Sequence, residues 1–240
     1  MDGNYKPYDH KASSARMEEI LDKPVGTFEE KDSLPDRDQL TFTNGFYSLC
    51  TAVFIDIRDS SGLTDKHKRP QLAKIYRSFI SEMVAVLNSA SFVREVNIVG
   101  DCVWAVYNTR WTSNIEEVFS IVAQANSVKD LLNHHLTARG IDPLAIGIGV
   151  DYGRALMIKA GYNGSAINDV VYMGDVVNSA AHLAHEAGRG WRKPVYLSTV
   201  FWANLGEDDQ KLCYRDSVSG STVYTANVVN IAMNSYINDL

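Results

Sequence analysis

Residues 49–57 read Leu-Cys-Thr-Ala-Val-Phe-Ile-Asp-Ile, almost wholly apolar, and a polar loop follows at once. A stretch without polar alternation suits a strand buried on both faces, so other elements must cover each side of it. Asp56 then stands at the end of a central strand, beside a turn built from Arg58, Asp59, Ser60 and Ser61. Further on, Val96-Asn97-Ile98-Val99 runs into Gly100-Asp101, a pair favoured in two-residue hairpin loops when apolar segments flank it. Two such strand ends side by side would bring Asp56 and Asp101 together above a loop of backbone N–H groups. Shared carboxylates suit divalent cations, and clustered N–H groups suit phosphate oxygens.

The intervening segments are helical. Leu72, Ile75, Phe79, Met83 and Leu87 recur at helical spacing and predict a helix over 63–87. Val118, Ile121, Val122, Ala125, Val128 and Leu132 predict another over 115–136. The hairpin spans 92–106, and residues 144–150 form a strand in which Gly147 and Gly149 alternate with apolar residues. The order β-α-β-β-α-β predicts an α+β fold with a ferredoxin-like core, two helices over one face of an antiparallel sheet. A C-terminal extension follows: a strand near 155–159, a helix over 175–186, and strands near 195–197 and 222–229. Residues 1–45 are polar and charge-rich, with Pro24 and Pro35 and helical periodicity only over 15–21. They read as an N-terminal extension, a short helix plus a tether, ahead of the main domain at 46–240.

Composition narrows the function. A 240-residue chain with 45% hydrophobic residues builds one packed domain with an extension. Its net charge of −6 argues against nucleic-acid binding, which calls for a basic face. Cys50, Cys102 and Cys213 have no paired spacing, which argues against a zinc site and for a reducing compartment. No apolar stretch approaches the ~18 residues of a membrane span, and residues 1–6 hold no apolar signal core. The expectation is a cytoplasmic protein with neither nucleic acid nor membrane as partner.

Two later motifs complete the pattern: Ile146-Gly147-Ile148-Gly149-Val150-Asp151-Tyr152-Gly153, and Gly174-Asp175-Val176-Val177-Asn178-Ser179-Ala180-Ala181-His182. With the Phe54-Ile55-Asp56-Ile57 strand end and the Gly100-Asp101 hairpin, the chain resembles the class III nucleotidyl cyclase catalytic domain from about 46 to 229. Within that family, Ile57 to Ser61 and residues 40–47 look most like the stand-alone pyrimidine cyclases of bacterial antiphage systems. The resemblance implies cyclisation of a nucleoside triphosphate to a 3′,5′-cyclic monophosphate with release of pyrophosphate. It further implies two divalent metal ions, Mn²⁺ or Mg²⁺, on Asp56, Asp101 and the carbonyl of Ile57. The loop of Arg58, Asp59, Ser60 and Ser61 would cradle the β- and γ-phosphates through its amides, with Ser60 and Ser61 serving equally as N-caps.

Asn178 and His182 lie one turn apart on a single helix face. By resemblance Asn178 orients the ribose. His182 stands where the family usually carries an arginine for the transition-state phosphate, so either it does that work more weakly or Arg189, Arg192 or Lys193 has taken it over. The family's triphosphate lysine is not evident around 217–221. Gly147 and Gly149 are expected chiefly to allow close strand–helix packing. The positions that read adenine in adenylyl cyclases are here Asn97 and Val171. Asn97 offers an acceptor and two donors, and Val171 removes the acceptor that an exocyclic amine requires. This favours UTP and leaves CTP open.

The division of roles in the family predicts a homodimer with two equivalent sites at its interface. The likeness to the antiphage pyrimidine cyclases implies a separate cyclic-nucleotide-responsive effector protein. Two other classes compete: a cyclase-like module that senses nucleotide without turnover, and a diguanylate-cyclase-like or polymerase-like transferase on the same palm.

Overall fold

The computed structural model describes residues 3–24, 28–163 and 166–240. Met1 and Asp2, part of the segment without a signal core, lie outside them. A helix, α1 (His10–Asp22), and a short strand, β1 (Phe28–Glu30), precede the central strand β2 (Gly45–Ile57). Then come α2 (Ser60–Lys66), α3 (Arg69–Leu87), the hairpin β3 (Val93–Val99) and β4 (Cys102–Tyr107), and α4 (Thr112–Thr137). β5 (Ile146–Tyr162), β6 (Ile167–Met173) and α5 (Asp175–Glu186) follow. The chain ends in β7 (Val195–Ser198), α6 (Thr199–Ala203), α7 (Glu207–Gln210), β8 (Tyr214–Val218), β9 (Ser221–Ala226) and α8 (Ile231–Asn238).

The strands make one sheet in the order β3-β4-β2-β5-β7-β9-β8, with β1 and β6 attached beside β2 and β5. Its first four strands have the ferredoxin-like order, with β2 antiparallel to both neighbours. The two faces of β2 are covered differently. Val53, Ile55 and Ile57 face α3 and α4 together with Ile146, Ile148 and Val150 of β5. On α3 the buried side chains are Ile75, Phe79, Met83 and Leu87, one per turn, each worth about 2 kcal/mol of transfer free energy. Cys50 and Ala52 face the other way, toward Val176 and Ala180 of α5 and toward Leu34 and Leu40.

Two expectations are corrected. The helix expected over 63–87 is two helices, because Pro70 at the start of α3 has no N–H and its ring would clash within a continuous helix. The strand expected near 155–159 is the second half of β5, which pairs with β2 from Ile57↔Ile146 to Gly45↔Ile158 without a break. The tether after α1 lies against the domain: Leu34 and Leu40 are buried, and the Leu34 N–H donates to the Asn108 side chain at 2.8 Å. Strand β6, which opens on Asn168 and Asp169, and the polar strand β8 were not legible beforehand. No helix among the described residues is long and apolar enough to cross a membrane.

Candidate active site

In the β2–β4 pairing Asp56 sits opposite Cys102, so the Gly100-Asp101 tip overhangs the end of β2. Gly100 takes φ 64° there, a conformation that glycine adopts without a Cβ penalty. Burial pushes the Asp56 carboxyl above its ordinary range, the Arg58 guanidinium opposes this, and the like charge of Asp101 pushes it further up. Oδ2 of Asp101 is buried without a hydrogen-bond partner. Leaving such an oxygen bare costs about 1–3 kcal/mol. Two facing carboxylates, one with an orphaned oxygen, fit a hard divalent cation, with the Ile57 carbonyl at the same strand end as a further oxygen donor. Among the described residues no three His, Cys, Asp or Glu side chains gather into a metal site. A cation at this pair would therefore take its remaining ligands from backbone, substrate and water.

Arg58 is placed differently from its expected part in a phosphate cradle. Its N–H donates to the Ala145 carbonyl at 2.8 Å. Its guanidinium, nearly buried, donates to Asp56 Oδ2 at 2.5 Å and to the His185 carbonyl at 2.7 Å. It thus ties the strand end to the last turn of α5. Asp59 is the N-cap residue of α2 in left-handed backbone (φ 52°), with no side-chain capping bond. Its carboxylate lies over Gly62, where a Cβ would come within 2.5 Å of Oδ2. Ser60 and Ser61 open α2 near Tyr76, whose phenol is pushed up by burial and by the charge of Asp101 and pulled back by Ser60.

Helix α5 lies directly on β5. A Cβ at Gly149 would meet the Ala180 carbonyl and the Ala184 amide at 2.1 Å, and one at Gly147 the Ala184 carbonyl at 2.4 Å. Packing is thus what these glycines allow. Asp151, further along β5, accepts from the Tyr152 N–H at 2.7 Å, and its carboxyl is pushed up by burial and pulled back by the nearby Ser198 and Ser179 hydroxyls. Asn178 and His182 are exposed on the outer side of α5. His182 lines a cleft of about 450 Å³ between α5 and the β8–β9 hairpin, which extends to Glu186 in the last turn of the helix. Among the three basic residues after α5, Arg192 pairs with Glu186 and Lys193 lies over the Tyr214 ring. Arg189 alone of the three acts electrostatically on Asp56, while its Nε donates to the His185 carbonyl.

On the base-reading side, Asn97 pairs across the sheet with Trp104, Trp104 with Phe54, and Phe54 with Gly149, so one row crosses four strands. Phe54 and Trp104 stack with parallel rings at 5.1 Å. Asp56 is two residues along from Phe54 and therefore on the same face. Val171 is not brought to Asn97. Strand alternation on β6 turns Tyr172 to that face instead, with its ring edge on Trp104 and its hydroxyl donating to Glu95 at 2.8 Å.

The sequence matches the adenylate and guanylate cyclase catalytic domain over residues 44–215. The chain belongs to that family. It is 37% identical to a protein named uridylate cyclase from Gulbenkiania mobilis, over 98% of both chains. A second uridylate cyclase, from Treponema porcinum, is 32% identical over 96% of this chain and 81% of its own. The cyclase fold also matches a class III adenylyl cyclase-like ATP-binding protein from Pseudomonas aeruginosa (TM-score 0.70, 18% identity), covering 94% of this chain and 49% of that one. The guanylyl cyclase Cya2 superposes with a TM-score of 0.64 at 13% identity, over 78% of this chain and 95% of its own.

Sequence reasoning missed Glu95 and Tyr172. Period-two alternation placed Glu95 beside Asn97 on one face of β3, and that signal was available. The approach of β6 to β3 was not, because Asp169 and Asn168 make β6 look like a loop.

Proposed function

We propose that this chain is a nucleotidyl cyclase that converts UTP to its 3′,5′-cyclic monophosphate and pyrophosphate, by in-line attack of the 3′-oxygen on the α-phosphate. The observation that carries the reading is the Asp56–Asp101 pair, with its orphaned oxygen, on the same sheet face as Asn97 and the Phe54–Trp104 stack. Two relatives named uridylate cyclases, matching over nearly the whole chain, support the choice of base. Divalent cations, Mn²⁺ or Mg²⁺, on Asp56, Asp101 and the Ile57 carbonyl would lower the pKa of the 3′-hydroxyl and neutralise the triphosphate. Arg58 opposes the upward push of burial on the Asp56 carboxyl, the first turn of α2 faces the phosphates, and Asn97 reads the base edge. Asn178 orients the ribose. His182 and Arg189 share the part of the family's arginine.

Asn178 and His182 lie on the exposed side of α5, whose other side packs on β5, which supports a homodimer in which each site draws on both copies. The product acts on a separate effector in antiphage defence, a role supported by the likeness to pyrimidine cyclases alone. Incubation with UTP and Mn²⁺, followed by mass analysis, tests the reading. Cyclic UMP and pyrophosphate are expected from the wild type, and neither from Asp56→Ala or Asp101→Ala, which remain folded. His182 in place of an arginine favours a second reading, nucleotide sensing without turnover. Saturable UTP binding with no product over hours would establish it instead.

A further inference from the structure

We infer that Glu95 is a positioning residue that selects uracil over cytosine by fixing which way the Asn97 amide faces. The inference rests on the proposed uridylate cyclase activity and names the device behind its base choice. Asn97 Nδ2 donates to Glu95 Oε1 at 3.1 Å. The Tyr172 hydroxyl donates to Oε2 at 2.8 Å, and Arg37 Nη2 lies 3.5 Å from Oε1. Arg37 is held in turn by Asp169 at 2.6 Å. The Glu95 side chain is only 13% exposed, so it has little freedom to leave this ring of donors.

A carboxylate surrounded by donors serves only as an acceptor. The Asn97 amide must therefore turn its NH₂ toward Glu95, since its Oδ1 there would face another acceptor. That leaves Oδ1 and the second N–H as the free edge of the amide. Among the described residues no protein group takes Oδ1. With Oδ1 toward N3 and the N–H toward position 4 of the base, this edge matches uracil, whose N3–H donates and whose O4 accepts. Cytosine presents the reverse, an N3 acceptor beside an N4 amine. It would be matched only by the flipped amide, which Glu95 forbids. Val171 plays no part in this, because Tyr172 occupies the face that looks toward β3.

Glu95→Gln has the same shape and lifts the constraint, because a glutamine amide can donate to Oδ1 or accept from Nδ2. The experiment measures kcat/KM for UTP and for CTP with wild type, Glu95→Gln, Tyr172→Phe, Asn97→Ala and the double variant Glu95→Gln/Asn97→Ala, each checked for folding by thermal melting. The UTP/CTP ratio should fall at least tenfold in Glu95→Gln. It should fall by a smaller factor in Tyr172→Phe, which frees one oxygen of Glu95. Adding Glu95→Gln to Asn97→Ala should leave the ratio where Asn97→Ala alone puts it. If Glu95→Gln misfolds, Tyr172→Phe decides the matter, and an unchanged ratio there overturns the inference. Equal losses for both nucleotides in an enzyme that prefers UTP also overturn it and leave the proposed function standing. A wild type that turns over ATP or GTP best overturns the proposed base and this inference with it.

Discussion

The nearly buried Arg58 guanidinium pairs with the half-buried Asp56 carboxylate, Nη2 to Oδ2 at 2.5 Å, and also holds the carbonyl of His185 in the last turn of α5. The pair opposes the burial and the Asp101 charge that push the Asp56 carboxyl up. Arg58→Ala removes that countercharge and should lower kcat/KM at least tenfold. The sign of the pH effect is fixed: without Arg58 the carboxyl ionises at higher pH, so the acid limb of the pH–rate profile moves upward. Arg58→Lys, a point charge without the fork, should lie between. Profiles that superimpose would show that Arg58 is merely structural.

The contact of α5 with β5 leaves no room for a methyl group. Gly149→Ala drives a Cβ into backbone atoms of Ala180 and Ala184 at 2.1 Å, and backbone cannot swing aside as a side chain can. The cost should be about 3 kcal/mol, the upper end of ordinary overpacking. Because α5 carries Asn178 and His182, activity should fall with it. Chemical denaturation of the variant checks the first expectation and a UTP assay the second.

Asp151 gives the fold its own pH dependence. Its carboxyl is pushed up chiefly by burial and pulled back by Ser198, Ser179 and the Tyr152 N–H. A carboxyl raised on folding contributes stability that is full below its unfolded pKa and is lost as pH rises through its folded value. Asp151→Asn cannot ionise. The stability of the wild type relative to Asp151→Asn should therefore decline as pH rises above about 4, the ordinary Asp value. Thermal melts of both proteins across that window give the difference directly, and a constant difference would contradict the assignment.

The separation of Asp56 from the outer side of α5 predicts complementation. Asp56→Ala and Asn178→Ala should each be inactive alone. Mixed, they should recover up to a quarter of wild-type activity, since a random mixture makes half of its dimers mixed, each with one intact site. No recovery, together with a monomeric sedimentation profile at assay concentration, would exclude sites shared between copies.

What could be read from the sequence follows the strength of the local signal. The apolar run through Phe54 and the stripe through Ile75, Phe79, Met83 and Leu87 repeat one period over many residues, and the core strand and helix were evident from them. The helix over 175–186 matched its observed bounds because its glycine start and apolar face agree. The break before Pro70 was visible and passed over, since the apolar spacing continues on both sides of it. Asp56 and Asp101 could be paired because each ends a strand at a turn. The place of Tyr172 was hidden for a different reason: distance along the chain from Gly174 says nothing about which face a residue takes, and it is strand alternation that turns Tyr172 toward Trp104 and Glu95. Likewise, the Arg58 side chain turns back to Asp56 because a half-buried carboxylate two residues away attracts it, a pull that sequence spacing does not display.

The most direct measurement of the central claim is the rate of cyclic nucleotide formation from UTP, CTP, ATP and GTP, side by side, at equal concentration with Mn²⁺. UTP should be converted at least tenfold faster than ATP or GTP, the margin that one mismatched polar contact of about 1.4 kcal/mol supplies. ATP or GTP as the best substrate would contradict the account of Asn97 and its surroundings, and no cyclic product from any of the four would contradict the enzyme itself.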